Sequence, residues 1–493
     1  MKKILCLALC VLMLVGLVAC SGNGESKKTT IMVWGPSEHE ALYKTWLEEF
    51  KAAHPEELAN VIFDYAGSGD AGAYSAMATD PASGAAVYTF ANDQMANLLN
   101  LGALSPVTGD NLTWSKNNNS AASVEATKMG DGYYSYPLQA DNGYYMYFNK
   151  SAFRGTSVWD EANDTLKAGY TFRDLYNALD EKGGDWANGK VTYAMGDSWY
   201  LSGIFFAVGG DYSVQYDEDG KQTSADCWFA TEGEIKDGDF KIGYNAVECM
   251  INAICDKGTN KINSHYVYTD GDKNPLNDYI SIHTNPKDDL CKSEPLAAVV
   301  CGTWKAKELQ QNWGDDYAAT VLPMLETNDG SLYAMKNFAG YKNIGVNPQC
   351  AFAKESRENL LLLHELAQYL SGKQQQIDRY NATGAGPSNL DALKDSTIAA
   401  DAALKALNAQ YDRECVYPEG HEKAGEAIGN GLGYRVQDSV PANYWTPIQK
   451  FGNLLYNELA AYTKDGTALS SFSEKNLRKT LGQLQLDIEA AAQ

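Results

Sequence analysis

Thr30-Ile31-Met32-Val33-Trp34, cut off by Gly35-Pro36-Ser37 and followed by Leu42, Trp46 and Phe50 at helical spacing, is the stretch that decides the fold. A continuous apolar run of this length reads as a buried parallel strand, and the Gly-Pro pair ends it. Glu48, Glu49 and Lys51 fall on the other face of the helix, so the unit is a strand, a turn and an amphipathic helix. Val61-Ile62-Phe63-Asp64-Tyr65 and Ala86-Val87-Tyr88-Thr89-Phe90 supply two more strands, separated by a small-residue helical stretch from Ala71 to Thr79. Strands alternating with helices predict α/β architecture with a parallel sheet.

Later segments continue the theme without an internal repeat. Tyr144 to Phe148 and Leu296 to Cys301 read as strands, and Thr171 to Glu181 as a helix opened by a Thr cap with Asp174 behind it. Glu358 to Leu370 carries its leucines on one face, and Gln483 to Ala492 closes the chain as a helix. Asp217-Glu218-Asp219-Gly220 reads as a hairpin turn, since it lacks the spaced ligands and terminal Glu of a calcium loop. The polar stretch Lys257 to Lys292 reads as an inserted loop region, and Asp412 to Val440 as a second insertion of open role.

The amino terminus carries a different signal. Lys2 and Lys3 precede an apolar run from Ile4 to Val18, and Leu17-Val18-Ala19-Cys20 closes it ahead of the polar tether Ser21-Gly22-Asn23-Gly24-Glu25-Ser26. This pattern resembles a bacterial lipoprotein signal: residues 1–19 are expected to be removed, and Cys20 to carry lipid at the head of a tether over 20–28. Each buried methylene of such chains is worth about 0.8 kcal/mol, enough in sum to hold the protein at the outer face of a membrane. An ordinary secretion signal, with Cys20 an incidental thiol, is the alternative.

Of the 493 residues, 44% are hydrophobic, the proportion of a globular chain long enough for two or three domains. A net charge of −23 argues against nucleic acid or anionic lipid as partners, because both need a positive face. Tyr (31) and Trp (10) together outnumber Phe (14), which favours surfaces that meet hydroxyl-rich molecules as well as wet cores. Cys227, Cys249, Cys255, Cys291, Cys301, Cys350 and Cys415 include no C-x-x-C pair, so no zinc site is read and most are expected to be buried small hydrophobes. No metal or cofactor is expected. His364-Glu365-Leu366-Ala367-Gln368 lacks the second His of a zinc protease, no Gly-x-Ser-x-Gly elbow is present, and no block resembles a glycoside hydrolase, so an enzyme is not the expectation. A surface adhesion module remains a third class, one that would show no closable cleft.

Five blocks occur in order along nearly the whole mature chain: TIMVWGPSEHEALYKTWLEEF, AAVYTFANDQMANLLNLGALSPVTGD, YYSYPLQADNGYYMYFNKSAF, VVCGTWKAKELQQNW followed by VLPML, and PANYWTPIQKF. Together they resemble the extracellular solute-binding proteins of bacterial ABC transporters, most closely those for maltose and maltodextrin. The resemblance implies two α/β lobes of the type II periplasmic-binding-protein fold, each a mixed sheet flanked by helices, with a ligand cleft and hinge between them. It implies an N-terminal lobe of 29–140 plus 344–392 and a C-terminal lobe of 141–343 plus 393–493. It also implies a monomer that hands an oligosaccharide, a malto-oligosaccharide in the first instance, to the permease subunits of the transporter. A different oligosaccharide or a polyol is the alternative ligand.

By the same resemblance Glu38 and His39 would offer polar contacts after the first strand, His39 standing where the family has a lysine. Phe90 would be a stacking aromatic, with Asp93 and Gln94 as hydroxyl partners. Asp141 would be an acidic ligand beside the hinge, Asp197 and Trp199 an acid and an aromatic of the second lobe, and Trp304 and Trp445 two stacking tryptophans; Tyr341 is a further cleft candidate. The chemistry suits such a set, since a pyranose has an apolar C–H face for a ring and edge hydroxyls for carboxylates and amides. By analogy with base stacking, one aromatic platform is worth about 1–3 kcal/mol. For Phe90 a core position, and for Asp93 and Asp141 a capping role, remain open readings.

Overall fold

The computed structural model describes residues 28–491 apart from 69, 218–219, 230–240, 258–260, 272 and 465–473. The expected leader and Cys20 lie outside the described residues, as does the middle of the turn at 217–220. Among the described residues no helix is long and apolar enough to cross a membrane.

The fold is mixed α/β and two-lobed. In the first sheet Thr29–Gly35 lies between Val61–Gly67 and Val87–Ala91, all parallel. Asn337–Val346 runs antiparallel to Val87–Ala91 and also pairs with Tyr136–Asn142 and, at its start, with Tyr434–Val436. The second sheet has the order Tyr266–Val267, Lys190–Thr192, Leu296–Cys301, Tyr145–Asn149, Tyr317–Thr320, the first three parallel and the last two pairings antiparallel. The chain therefore passes from one sheet to the other at Gly143-Tyr144 and returns just before Asn337. Pairing of Asn337–Val346 with Tyr136–Asn142 slips register on both sides of Lys342.

Helix Glu40–Ala53 buries Tyr43, Trp46, Leu47 and Phe50, one stripe at i, i+3, i+4 and i+7, against the first sheet. Helix Phe172–Lys182 opens with the reciprocal Thr171–Asp174 capping box expected from sequence. Helix Ser198–Ala207 is apolar nearly all round and is buried at every position except Trp199. Such a helix belongs inside a lobe, and it holds Trp199 rigidly at its first turn. Helix Trp445–Lys464 packs along it. The seven described cysteines are free thiols, all but Cys291 buried, as small hydrophobes are.

One expectation fails. Lys257 to Lys292 is no simple loop: it contains the edge strand Tyr266–Val267 and helix Leu276–Thr284, which bury Tyr266, Tyr279, Ile280 and His283. A two-residue strand is too short to show alternation, and the helix hides a narrow apolar stripe among polar residues. The second insertion also has structure, in strands Glu414–Val416, Ala427–Leu432 and Tyr434–Val436.

Candidate ligand-binding cleft

A cleft of about 640 Å³ opens between the lobes. Its walls are turns at the carboxyl ends of parallel strands, where backbone N–H groups and side chains emerge around a crevice. Pro36 and Glu38 follow Thr29–Gly35, Asp70 and Ala71 follow Val61–Gly67, and Asp93 follows Val87–Ala91. From the other sheet, Asp197 to Tyr200 follow Lys190–Thr192, Asp270, Gly271, Pro275, Leu276 and Asn277 follow Tyr266–Val267, and Trp304 follows Leu296–Cys301.

Three tryptophans form the apolar part. Trp199 and Trp304 lie 6.0 Å apart between ring centres, and Phe338 of the crossing strand supports two of the three rings, stacked on Trp199 at 6.1 Å and edge-on to Trp445 at 5.7 Å. Each indole N–H is used: Trp199 donates to Gln437 Oε1 (3.2 Å), Trp304 to Asn277 Oδ1 (3.1 Å) and Trp445 to Asp93 Oδ2 (3.3 Å). Fixed edges leave the ring faces as platforms. Gly302 permits the Trp304 pose, because a Cβ there would fall 2.0 Å from the ring.

The polar part is mostly acidic. Asp93 keeps its Oδ1 buried and without a partner, and burial pushes its carboxyl up to about 7 despite hydrogen bonds from Trp445 and Gln437. Asp197 caps helix Ser198–Ala207 by accepting from the Trp199 backbone N–H at 2.8 Å. Burial raises its pKa while that bond and the Tyr200 N–H pull the other way. Asp70 and Lys342 form an ion pair at 3.0 Å. Burial opposes the Asp70 carboxylate, yet Lys342 and then Arg379 outweigh it and hold Asp70 below the usual carboxylate range.

Glu38, Asp93, Asp197, Trp199, Trp304 and Trp445 thus converge on the cleft; five other candidates do not line it. Phe90 is wholly buried against Tyr88, Leu98 and Leu104, because at the end of its strand it faces the lobe core. His39 turns inward to Thr383 Oγ1 at 3.0 Å, one step of a tight 3₁₀ turn from the exposed Glu38, and burial together with Arg379 and Lys342 lowers its pKa to about 2. Gln94 is spent on the neighbouring turn, accepting from the Tyr74 N–H and donating to the Asp70 carbonyl. Asp141 is buried as a clasp, accepting from the Thr303 hydroxyl, the Gly386 N–H and the Gln139 amide. Tyr341 lies beside the cleft, its backbone N–H bound to Asn92 Oδ1 at 3.0 Å. Asp70, Asn142, Asn277, Lys342 and Gln437 line it without having been singled out. For Lys342 and Gln437 no local signal exists, as long-range strand pairing brings them there. His364 sits in the core between Ser105 Oγ and Tyr136 Oη. No group of three metal-ligating side chains is assembled among the described residues.

Two sheets facing a cleft at their strand ends, with the chain crossing between them, define a two-lobed binding protein. Residues 45–406 match the family model of the bacterial extracellular solute-binding proteins, and the chain belongs to that family. Membership places its work outside the cytoplasm, in a family of solute-binding proteins. Among solved structures, one determined with acarbose is 20% identical with a TM-score of 0.66, covering 94% of this chain and 100% of that one. The maltodextrin-binding protein MalE1 from L. casei BL23, without ligand, is 18% identical with a TM-score of 0.61 over 94% and 100%. The Thermus thermophilus maltotriose-binding protein bound with maltotriose is 13% identical with a TM-score of 0.59 over 94% and 99%. At these identities the likeness is one of fold. No curated protein sequence matches significantly.

Proposed function

We propose that the protein captures an oligosaccharide, a malto-oligosaccharide in the first instance, between its lobes and delivers it to the permease of an ABC importer. The observation that carries this reading is the set of three edge-bonded tryptophans facing carboxylate and amide groups across one cleft. Ring faces receive the apolar side of a pyranose, and the unpartnered Asp93 Oδ1 accepts a hydroxyl. The solved neighbours with acarbose and maltotriose support the ligand class. A ligand touching both lobes favours the closed form over the open one, and the permease reads that shift. In this reading the lobes divide as 29–140 with 344–392 and 141–343 with 393–493; the boundary at 343/344 falls beside the register slip at Lys342. The protein works as a monomer tethered by lipid on Cys20.

Calorimetric titration of the mature chain with maltose, maltotriose and longer α-glucans, beside non-glucose saccharides, tests this. Saturable α-glucan binding is expected. Heat only from another saccharide or polyol would keep the carrier role and replace the ligand, and no heat from any of them would sink the sugar reading.

A further inference from the structure

The insertion at 412–440 reaches the cleft through one residue. Strand Tyr434–Val436 pairs with Asn337–Ala339 at the start of the crossing strand, and the next residue, Gln437, is buried with its N–H donating to the Ala339 carbonyl at 3.0 Å. Its side-chain oxygen accepts from the Trp199 indole N–H and from Asn142 Nδ2, each at 3.2 Å. Its own carbonyl accepts from Asn92 Nδ2. Both side-chain partners are donors, and an indole nitrogen cannot accept, so the amide oxygen must face them and the amide nitrogen is left for the Asp93 side. Gly340 completes the seat, since a Cβ there would come within 2.4 Å of Gln437 Oε1.

From this geometry we infer that Gln437 is the positioning residue for the Trp199 platform, and that the insertion exists in the site to supply it. Asn92 belongs to the first lobe, Asn142 to the crossing and Trp199 to the second lobe, so one amide sets the edge of a second-lobe ring from a strand anchored on the first sheet. Without its acceptor the indole is held by ring packing against Phe338, Tyr144, Tyr200 and Trp304, and it loses the orientation a saccharide ring stacks on. The inference rests on the saccharide reading for its effect on affinity, and on structure alone for its effect on Trp199.

The test uses the full mature chain and the variants Q437L, Q437E and W199F. In ligand-free protein, the indole N–H resonance assigned to Trp199 by its loss in W199F should shift and lose exchange protection in Q437L, and be retained in Q437E, which keeps an acceptor. Maltotriose affinity should fall about tenfold in Q437L, the size of one lost hydrogen bond with its orientation. In the W199F background Q437L should cost less than about twofold more. An unchanged indole signal in folded Q437L, or an equal loss in both backgrounds, overturns the inference. Wild-type protein that binds no saccharide refutes the functional reading instead, while the indole measurement still decides the role of Gln437.

Discussion

Lys342 Nζ lies 3.0 Å from Asp70 Oδ2 and 5.8 Å from the centre of the Trp304 ring, so one ammonium faces a buried carboxylate of the first lobe and an aromatic face of the second. Removing one partner of a buried pair leaves an uncompensated charge, which costs about 3–5 kcal/mol. Lys342→Met should therefore lower the denaturant midpoint strongly. Adding Asp70→Asn should restore part of the loss; if the double variant is no more stable than the single one, the pair is not the cause.

The Asp93 carboxyl, at about 7 against 3.8 for the free side chain, is protonated more readily in the folded protein than in the unfolded chain. Its contribution to stability is thus fully present below 3.8 and is lost as pH rises through about 7. Unfolding midpoints of wild type and Asp93→Asn measured from pH 4 to 8 should show wild type losing ground to the variant over that window. Ligand binding has the opposite sign, because a hydroxyl donates a stronger, charge-assisted bond to the ionised carboxylate than to the protonated carboxyl. Saccharide affinity should rise through the same window and flatten in Asp93→Asn.

Trp304 is half-buried and edge-bonded to Asn277; it packs on the rim of two core clusters, inside neither, and lines the cleft. Trp304→Ala should weaken saccharide binding by more than about tenfold, the order of one stacking platform. The thermal midpoint should move little. Unchanged affinity would remove Trp304 from the site.

The lipid anchor is open to a direct check. Cys20→Ala should move the protein from the membrane fraction to the soluble fraction of its host, and a variant that still sediments with membrane would refute anchoring through Cys20.

The strands and helices of the first lobe were legible because each is long enough to show its period, Trp46 and Phe50 marking a buried stripe, and in the second lobe Thr171 with Asp174 marked a helix start. Trp199, Trp304 and Trp445 were legible as cleft residues because each follows a turn. Phe90 misled because a strand buried on both faces carries no alternation to tell cleft from core. His39 misled because adjacent residues of a 3₁₀ turn point about 120° apart. Gln437 and Lys342 were illegible: their places depend on the pairing of segments about one hundred and about two hundred residues apart, respectively, which no local pattern encodes.

The register slip in the crossing strand gives the cleft a mechanical character. Ladder bonds stiffen a strand, and beside Lys342 the ladder to Tyr136–Asn142 is interrupted. The ammonium lining the cleft is thus mounted where that ladder breaks, while on its other side Lys342 stays paired with Ala91. Cleft wall and broken ladder therefore share one residue, so a change in that pairing would move the lining of the cleft directly.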